Sequence, residues 1–393
     1  MNPADAQWTQ TTSLPDGWAG HSLGYWSGFL YQVAGSSEYS GLPDGDHVFY
    51  AQVNANGTVG TWNVATSLPE CVVEHAGVVA NGFLYTLGGL HYNPDVGPSV
   101  ANAVFYARIN LDGTVGSWQT ANPVPLAVLC PSAAVWNGRI YVAGGCDLDG
   151  VFNAVWSARI QADGSLSTWV AQVPLPDAIY DHAGVANGML YVLGGVINNG
   201  MTIHNKVYFS RINPDGTLAG WNQTSPLPQP LFYSGAVAVA GRIFVTGGST
   251  DSNPVNTCYV ATVAGDGTLG PWSAGPTLPH AMYQHAMAVT DSHIFLSGGY
   301  NDGGYLNTVY SLALPAPPAA PMLLPQGFGT AGAFRLKLTS TANTGFGIEA
   351  STNLVDWNRI GWGFTDATGS LSVQDTDAPS FPKRFYRARW PLP

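Results

Sequence analysis

Short apolar runs of about five residues, broken by Gly-containing turns, recur along most of the chain. One stretch shows the pattern: Ala76 to Ala80, then Asn81-Gly82, then Phe83-Leu84-Tyr85-Thr86-Leu87 closed by Gly88-Gly89, then Val104 to Ile109. Asn-Gly between two apolar runs is a strong hairpin signal. The same order returns around Asn137-Gly138 with Gly144-Gly145, and around Asn187-Gly188 with Gly194-Gly195. Each copy predicts three strands, and a tryptophan marks a fourth.

Trp8, Trp62, Trp118, Trp169, Trp221 and Trp272 set a period near fifty residues. Five of them follow a turn such as Asp112-Gly113-Thr114, and all six precede a Leu-Pro or Val-Pro step such as Leu68-Pro69. Four strands per period describe the blade of a propeller. The last copy, Met282 to Leu314, lacks a Trp strand, whereas the chain begins with one at Trp8. The ends complete each other, which predicts a six-bladed β-propeller whose last blade is closed by the N-terminal strand and therefore exposes no sheet edge there.

These residues resemble the kelch family of β-propellers, with a Gly-Gly pair after the second strand, an aromatic in the third and Trp in the fourth. The likeness covers residues 8 to 314. The first copy departs from it with Ala34-Gly35. The Arg that many kelch repeats carry after the Pro is replaced by Trp18, Val72, Val128, Ile179, Leu231 and Met282, so a function placed on that Arg is not expected. Some propellers of this family interconvert sugar-acid anomers and others are copper oxidases. Neither pattern transfers: Arg108, Arg159 and Arg211 fall mid-strand, Arg139 and Arg242 follow the turns of the opposite face, and no Tyr is followed directly by His.

Beyond Leu314, Pro315-Ala316-Pro317-Pro318-Ala319-Ala320-Pro321 reads as an extended linker. The expected domains are 1–314 (propeller), 315–326 (Pro-rich linker) and 327–393 (a small antiparallel β-sandwich of immunoglobulin or fibronectin type). The last part resembles a C-terminal module of secreted bacterial proteins, through Ile348-Glu349-Ala350-Ser351-Thr352-Asn353-Leu354 and Phe385-Tyr386-Arg387-Ala388-Arg389. Gly327 to Gly332 matches G-x-G-x-x-G but follows a Pro linker and precedes a strand, which fails the dinucleotide context.

Composition supports an all-β reading: 48 Gly and 28 Pro supply turns, and charged residues are only 9%. With 13 Lys plus Arg against 24 Asp plus Glu, no basic stripe exists to neutralise phosphates, so nucleic acid is not an expected partner. Residues 1–315 hold 6 basic and 19 acidic side chains, whereas 316–393 hold 7 and 5. No apolar run reaches the roughly 18 residues that span a bilayer, so membrane insertion is not expected. A secreted or cell-surface location is, with a signal peptide removed upstream.

The longer connections after Gly-Gly and Leu-Pro share one face, and loops on a rigid scaffold commonly carry function. Seven residues after the Leu or Val of each Leu-Pro or Val-Pro step stand His21, His75, Pro131, His182, Ser234 and His285. One position earlier the series reads Gly20, Glu74, Cys130, Asp181, Tyr233 and Gln284, and two earlier it includes Tyr180, Phe232 and Tyr283. These residues are expected to line the mouth of the central channel. The plain reading of the histidines is blade packing. The functional reading is ligand binding by His21, Glu74, His75, Tyr180, Asp181, His182, Phe232, Tyr233, Tyr283 and His285, with aromatics stacking on a neutral glycan or small molecule.

The alternatives are a glycan-processing or metal-dependent enzyme using these histidines, and a scaffold binding protein through its loops. No catalytic residues and no cofactor are assigned. His21, His75 and His285 are the candidate ligands for zinc or copper, and Asp147-Leu148-Asp149-Gly150 for calcium. Cys130 and Cys146 bracket one predicted hairpin and are a candidate disulfide, while Cys71 and Cys258 have no evident partner.

Overall fold

The computed structural model describes residues 7–37, 45–93, 95, 97–197, 202–251, 253–314, 321–329, 332–341, 344–352, 354 and 358–389. Half of the expected linker, at 315–320, and Asn353 of the tail motif lie outside these residues, as does part of the connection from Ser36 to His47. Five four-stranded antiparallel sheets and one of five strands, the second, form the first part, with inner strands Ser22–Trp26, Ala76–Ala80, Ser132–Trp136, Ala183–Ala186, Gly235–Val239 and Ala286–Val289. Each inner strand packs beside the next, and the sixth returns to the first. The sheets thus surround an axis, as the period predicts. No helix among the described residues is long and apolar enough to cross a membrane.

The sixth sheet is completed from the other end of the chain, where Thr9–Gln10 pairs with Val309–Ala313 in the register Thr9↔Ser311 and Gln10↔Tyr310. In the second sheet the strand does not stop at the Gly pair. It runs Phe83–Asn93, with a register shift between Leu87 and Gly89, because Gly88 and Gly89 adopt φ of 62° and 105° and bend the strand without ending it. Its extension also pairs with Cys71–Val73.

The repeated residues tie each sheet to its neighbour. Nε1 of all six periodic tryptophans donates to a carbonyl of the preceding sheet, from Trp8 to Pro276 O (2.9 Å) and Trp118 to Thr66 O (2.8 Å) through to Trp272 to Ser225 O (3.0 Å). The second strand reaches forward: the hydroxyls of Tyr31, Tyr85, Tyr141 and Tyr191 donate to Gly113, Gly164, Gly216 and Gly267 in the Asp-Gly turns of the following sheet. Apolar clusters fill the spaces between sheets. The Trp period is therefore a period of interfaces.

The tail forms two three-stranded antiparallel sheets, one of Met322–Phe328, Phe334–Thr339 and Ser370–Asp375, the other of Asn358–Phe364, Gly345–Ser351 and Phe385–Arg389. Leu336, Leu338, Phe346, Ile348 and Val373 form their shared core. Glu349 is buried there under an arginine cluster, Arg387 donating from Nε at 2.7 Å and Arg359 lying at 3.9 Å. The strand Asn358–Phe364 lies against the propeller's turns on the face opposite the channel mouth. Trp362 and Phe364 pack on the core between the fourth and fifth sheets, and the Arg359 guanidinium sits 4.4 Å from the Trp136 ring centroid. A side chain on Gly188 or Gly241 would collide with Trp362 or Phe364.

Candidate functional site

The residue two positions before the start of each inner strand takes a left-handed backbone conformation: Gly20, Glu74, Cys130, Asp181, Tyr233 and Gln284 have φ between 48° and 63°. For residues with a Cβ this costs roughly 1–2 kcal/mol each, so the surroundings must enforce it. They do so through five backbone hydrogen bonds that link the six positions in turn, from Glu74 round to Gly20. Cys130 N donates to Glu74 O (2.9 Å), Asp181 N to Cys130 O (3.4 Å), Tyr233 N to Asp181 O (2.9 Å), Gln284 N to Tyr233 O (3.1 Å) and Gly20 N to Gln284 O (3.0 Å). The turn of the backbone sends these side chains toward the axis. There they line a cavity of about 140 Å³ together with His21, His75, Pro131, His182, Ser234 and His285.

The four histidines hold neighbouring sheets together. Nε2 of His21 shares a hydrogen bond with Ser297 Oγ at 2.8 Å, and Nε2 of His285 with Thr246 Oγ1 at 2.9 Å, both on the second strand of the preceding sheet. At the equivalent positions Val33 and Ala143 offer no hydroxyl. His75 and His182 accordingly use the inner-strand Ser22 and Ser132, at 3.2 and 2.7 Å. The rings also explain the Gly-Gly pairs. A Cβ on Gly298, Gly144 or Gly247 would stand 2.6–2.7 Å from Cε1 of His21, His182 or His285, and a Cβ on Gly35, Gly89, Gly195 or Gly299 would meet the Cβ of its own sheet's histidine at 2.7–3.0 Å. Burial lowers the imidazoles to about 3 for His21, His75 and His182 and about 4 for His285. They are neutral packing groups.

This placement corrects the metal candidates. His21, His75 and His285 spend Nε2 on three different hydroxyls, and among the described residues no three His, Cys, Asp or Glu side chains are grouped to hold a metal ion. The calcium candidate is a self-capped turn, in which Asp147 Oδ1 accepts from the amides of Asp149 and Gly150 at 2.8 Å. The disulfide is corrected as well. Cys130 and Cys146 are free thiols, because the register places Cys146 opposite Leu129 and the left-handed turn at Cys130 carries its sulfur toward the axis.

Chemistry in the cavity centres on two carboxyl groups. Glu74 accepts from Cys130 Sγ at Oε2 and from Gln284 Nε2 at Oε1, both at 3.5 Å. Asp181 is 7% exposed, and its Oδ1 has no partner. Burial first, and then Glu74, raises the Asp181 carboxyl to about 7, against the pull of the Cys130 thiol and Tyr233 hydroxyl. Burial also pushes up the Cys130 thiol and Tyr233 phenol, and takes Cys146 to about 12. The lining contains no lysine or arginine, and among the described residues neither carboxyl group forms an ion pair.

Of the ten residues expected at the mouth, His21, Glu74, His75, Asp181, His182, Tyr233 and His285 line the cavity. Tyr180, Phe232 and Tyr283 do not. They pair across to Val196, Ser249 and Tyr300, which holds them on the rim. There a file of rings runs Phe232, Tyr233, Tyr283, Tyr300 and Tyr305 with centroids 5.1–6.0 Å apart. Gly20, Pro131 and Ser234 also line it, as do Cys130 and Gln284, which stand at the same position before the inner strand as Glu74 and Asp181.

No family model matches the chain. A solved structure, that of YjhT, superposes with a TM-score of 0.62 at 14% identity, covering 77% of this chain and 96% of that one. Beta-scruin of Limulus polyphemus is 26% identical over 255 residues, 61% of this chain and 26% of its own length. The Kelch-like protein terF of Aspergillus terreus is 26% identical over 238 residues, 58% of this chain and 50% of its own. The fold is that of a kelch-type β-propeller. The chain spans between about a quarter and a half of these curated relatives.

Proposed function

We propose that this kelch propeller is a binding module rather than an enzyme, and that it takes its ligand at the channel mouth. The observation that carries this reading is the set of left-handed positions, one per sheet, which holds five side chains around one small cavity and leaves a buried Asp181 oxygen unpartnered. Two kinds of group usual in catalysis are already committed. The imidazoles are neutral and hydrogen-bonded between sheets, and the Cys130 thiol is held protonated, which removes the nucleophilic thiolate. The cavity volume is close to that of an engineered protein cavity that binds benzene, about 150 Å³, so it suits one head group of a larger ligand. We read the tail as an accessory module that begins with the strand Met322–Phe328, five residues ahead of the boundary expected at 327, and the expected setting as secreted or cell-surface.

A neutral glycan laid across the rim is a second reading. The file from Phe232 to Tyr305 favours it, since aromatic faces pack against the apolar sides of sugar rings. Both readings are tested by ligand-detected NMR with a polar fragment mixture and by a neutral-glycan array, each repeated on Asp181→Asn and Tyr233→Ala. Ligands seated in the mouth should weaken at least tenfold in one or both variants. Binding unchanged in both, or no binding in either format, would remove the mouth as the site.

A further inference from the structure

We propose that the mouth is a receptor for a primary ammonium group, supplied by a lysine side chain of a partner protein or by a small alkylamine. This rests on the mouth-binding reading above and names the chemistry it selects. Two carboxyl groups from separate sheets, Glu74 and Asp181, converge on one cavity that contains no cationic side chain. Asp181 is more than nine-tenths buried, with Oδ1 unpartnered, and a buried acceptor without a donor is costly. Glu74 is bridged only by long contacts from Cys130 and Gln284.

An ammonium group brings what the cavity lacks: positive charge and three donors on a compact head. Glu74, Asp181 and the Gln284 amide oxygen are acceptors for those donors. A guanidinium, planar and broader, fits a cavity of this size less well. Anions meet two carboxyl groups and are repelled. The Tyr233 ring, which belongs to both the lining and the aromatic file, is available to face the alkyl stem or the cation.

The test is calorimetric titration of the full chain with n-butylammonium and with its neutral counterpart n-butanol, and with a lysine-containing peptide and the same peptide acetylated on lysine. Each cation should bind at least tenfold more tightly than its neutral counterpart, and Glu74→Gln and Asp181→Asn should each cost about tenfold or more, the scale of a hydrogen bond to a charged group. Both replacements keep side-chain shape, and unchanged thermal midpoints would show that folding is intact. A peptide much tighter than butylammonium would identify a protein partner, and equal affinities a small amine.

Binding should also weaken roughly tenfold from pH 8 to pH 6 as Asp181 takes up its proton. The groups facing Asp181 are Glu74 from the second sheet, Cys130 and Cys146 from the third, its neighbour Tyr180 and Tyr233 from the fifth. Cation and neutral counterpart binding alike, or affinities that ignore both substitutions, would overturn the ammonium assignment. A neutral glycan lost in Asp181→Asn would in that case still uphold the mouth as the site.

Discussion

Acidification from pH 7 to pH 5 should strip most of the propeller's stability, and the ring histidines set the amount. His21, His75, His182 and His285 are neutral in the fold, with values near 3–4, whereas in the unfolded chain they titrate near 6.5. Their folded values are depressed, so between these limits the unfolded state binds more protons, and stability falls as pH falls. At pH 5 the loss is about 2 kcal/mol per histidine relative to pH 7, and it depends little on the folded value provided that value is 4 or below.

Four such residues amount to about 8 kcal/mol. Asp181 acts in the opposite sense: its folded value is raised to about 7, so it gains stability as it protonates and returns about 2 kcal/mol. The net loss is of the order of a whole domain's stability, about 5–15 kcal/mol. Urea unfolding at pH 5, 6 and 7 is the assay, with the pH slope reporting protons taken up. His285→Gln and His182→Gln should each reduce that slope by about one proton below pH 6. Equal midpoints at pH 5 and 7, or a slope indifferent to these replacements, would refute the assignment of the histidines as buried neutral latches.

Other outcomes follow from particular contacts. Gly144→Ala places a Cβ at 2.4 Å from Ile179 O on a backbone with φ of 62°; it should cost about 3 kcal/mol or more in denaturant unfolding, and a loss below about 1 kcal/mol would contradict the packing. Trp169→Phe removes the bond from Nε1 to Asn122 O and should cost about 1 kcal/mol beyond the lost ring area, readable as a lowered urea midpoint. Deleting residues 1–14 removes Trp8 and the strand Thr9–Gln10 that completes the sixth sheet, so the thermal midpoint should drop by several degrees. Four titratable thiols should be found in denaturant both with and without reductant.

Much of this architecture is legible in the chain because the repeat is written at the interfaces. A tryptophan every fifty or so residues is visible, and so is the Gly-Gly pair, most of whose glycines stand against one of the periodic histidines. What lies between periods is harder to read. Cys130 and Cys146 look paired when strand ends are counted, but the register sets Leu129 opposite Cys146, and a one-residue offset reverses where a side chain points. Tyr180, Phe232 and Tyr283 share a repeat position with each other, yet strand pairing holds them to the rim. The left-handed turn that gathers Glu74, Cys130, Asp181, Tyr233 and Gln284 has no local signature, because only Gly20 is a residue that favours it. The tail's docking strand is equally silent: Trp362 and Phe364 alternate as any strand residues do, and only Gly188 and Gly241, far away in sequence, leave room for them.

The linking of the mouth positions through main-chain amides and carbonyls has a consequence for how such a molecule changes its preferences. Geometry at the hub is carried by peptide groups, and recognition by whichever side chains happen to be mounted on them. Glycine, acid, thiol, phenol and amide already occupy equivalent stations there along one run of backbone hydrogen bonds. A new specificity can therefore arise by exchanging single side chains at these stations, leaving the interlocked sheets around them as they are.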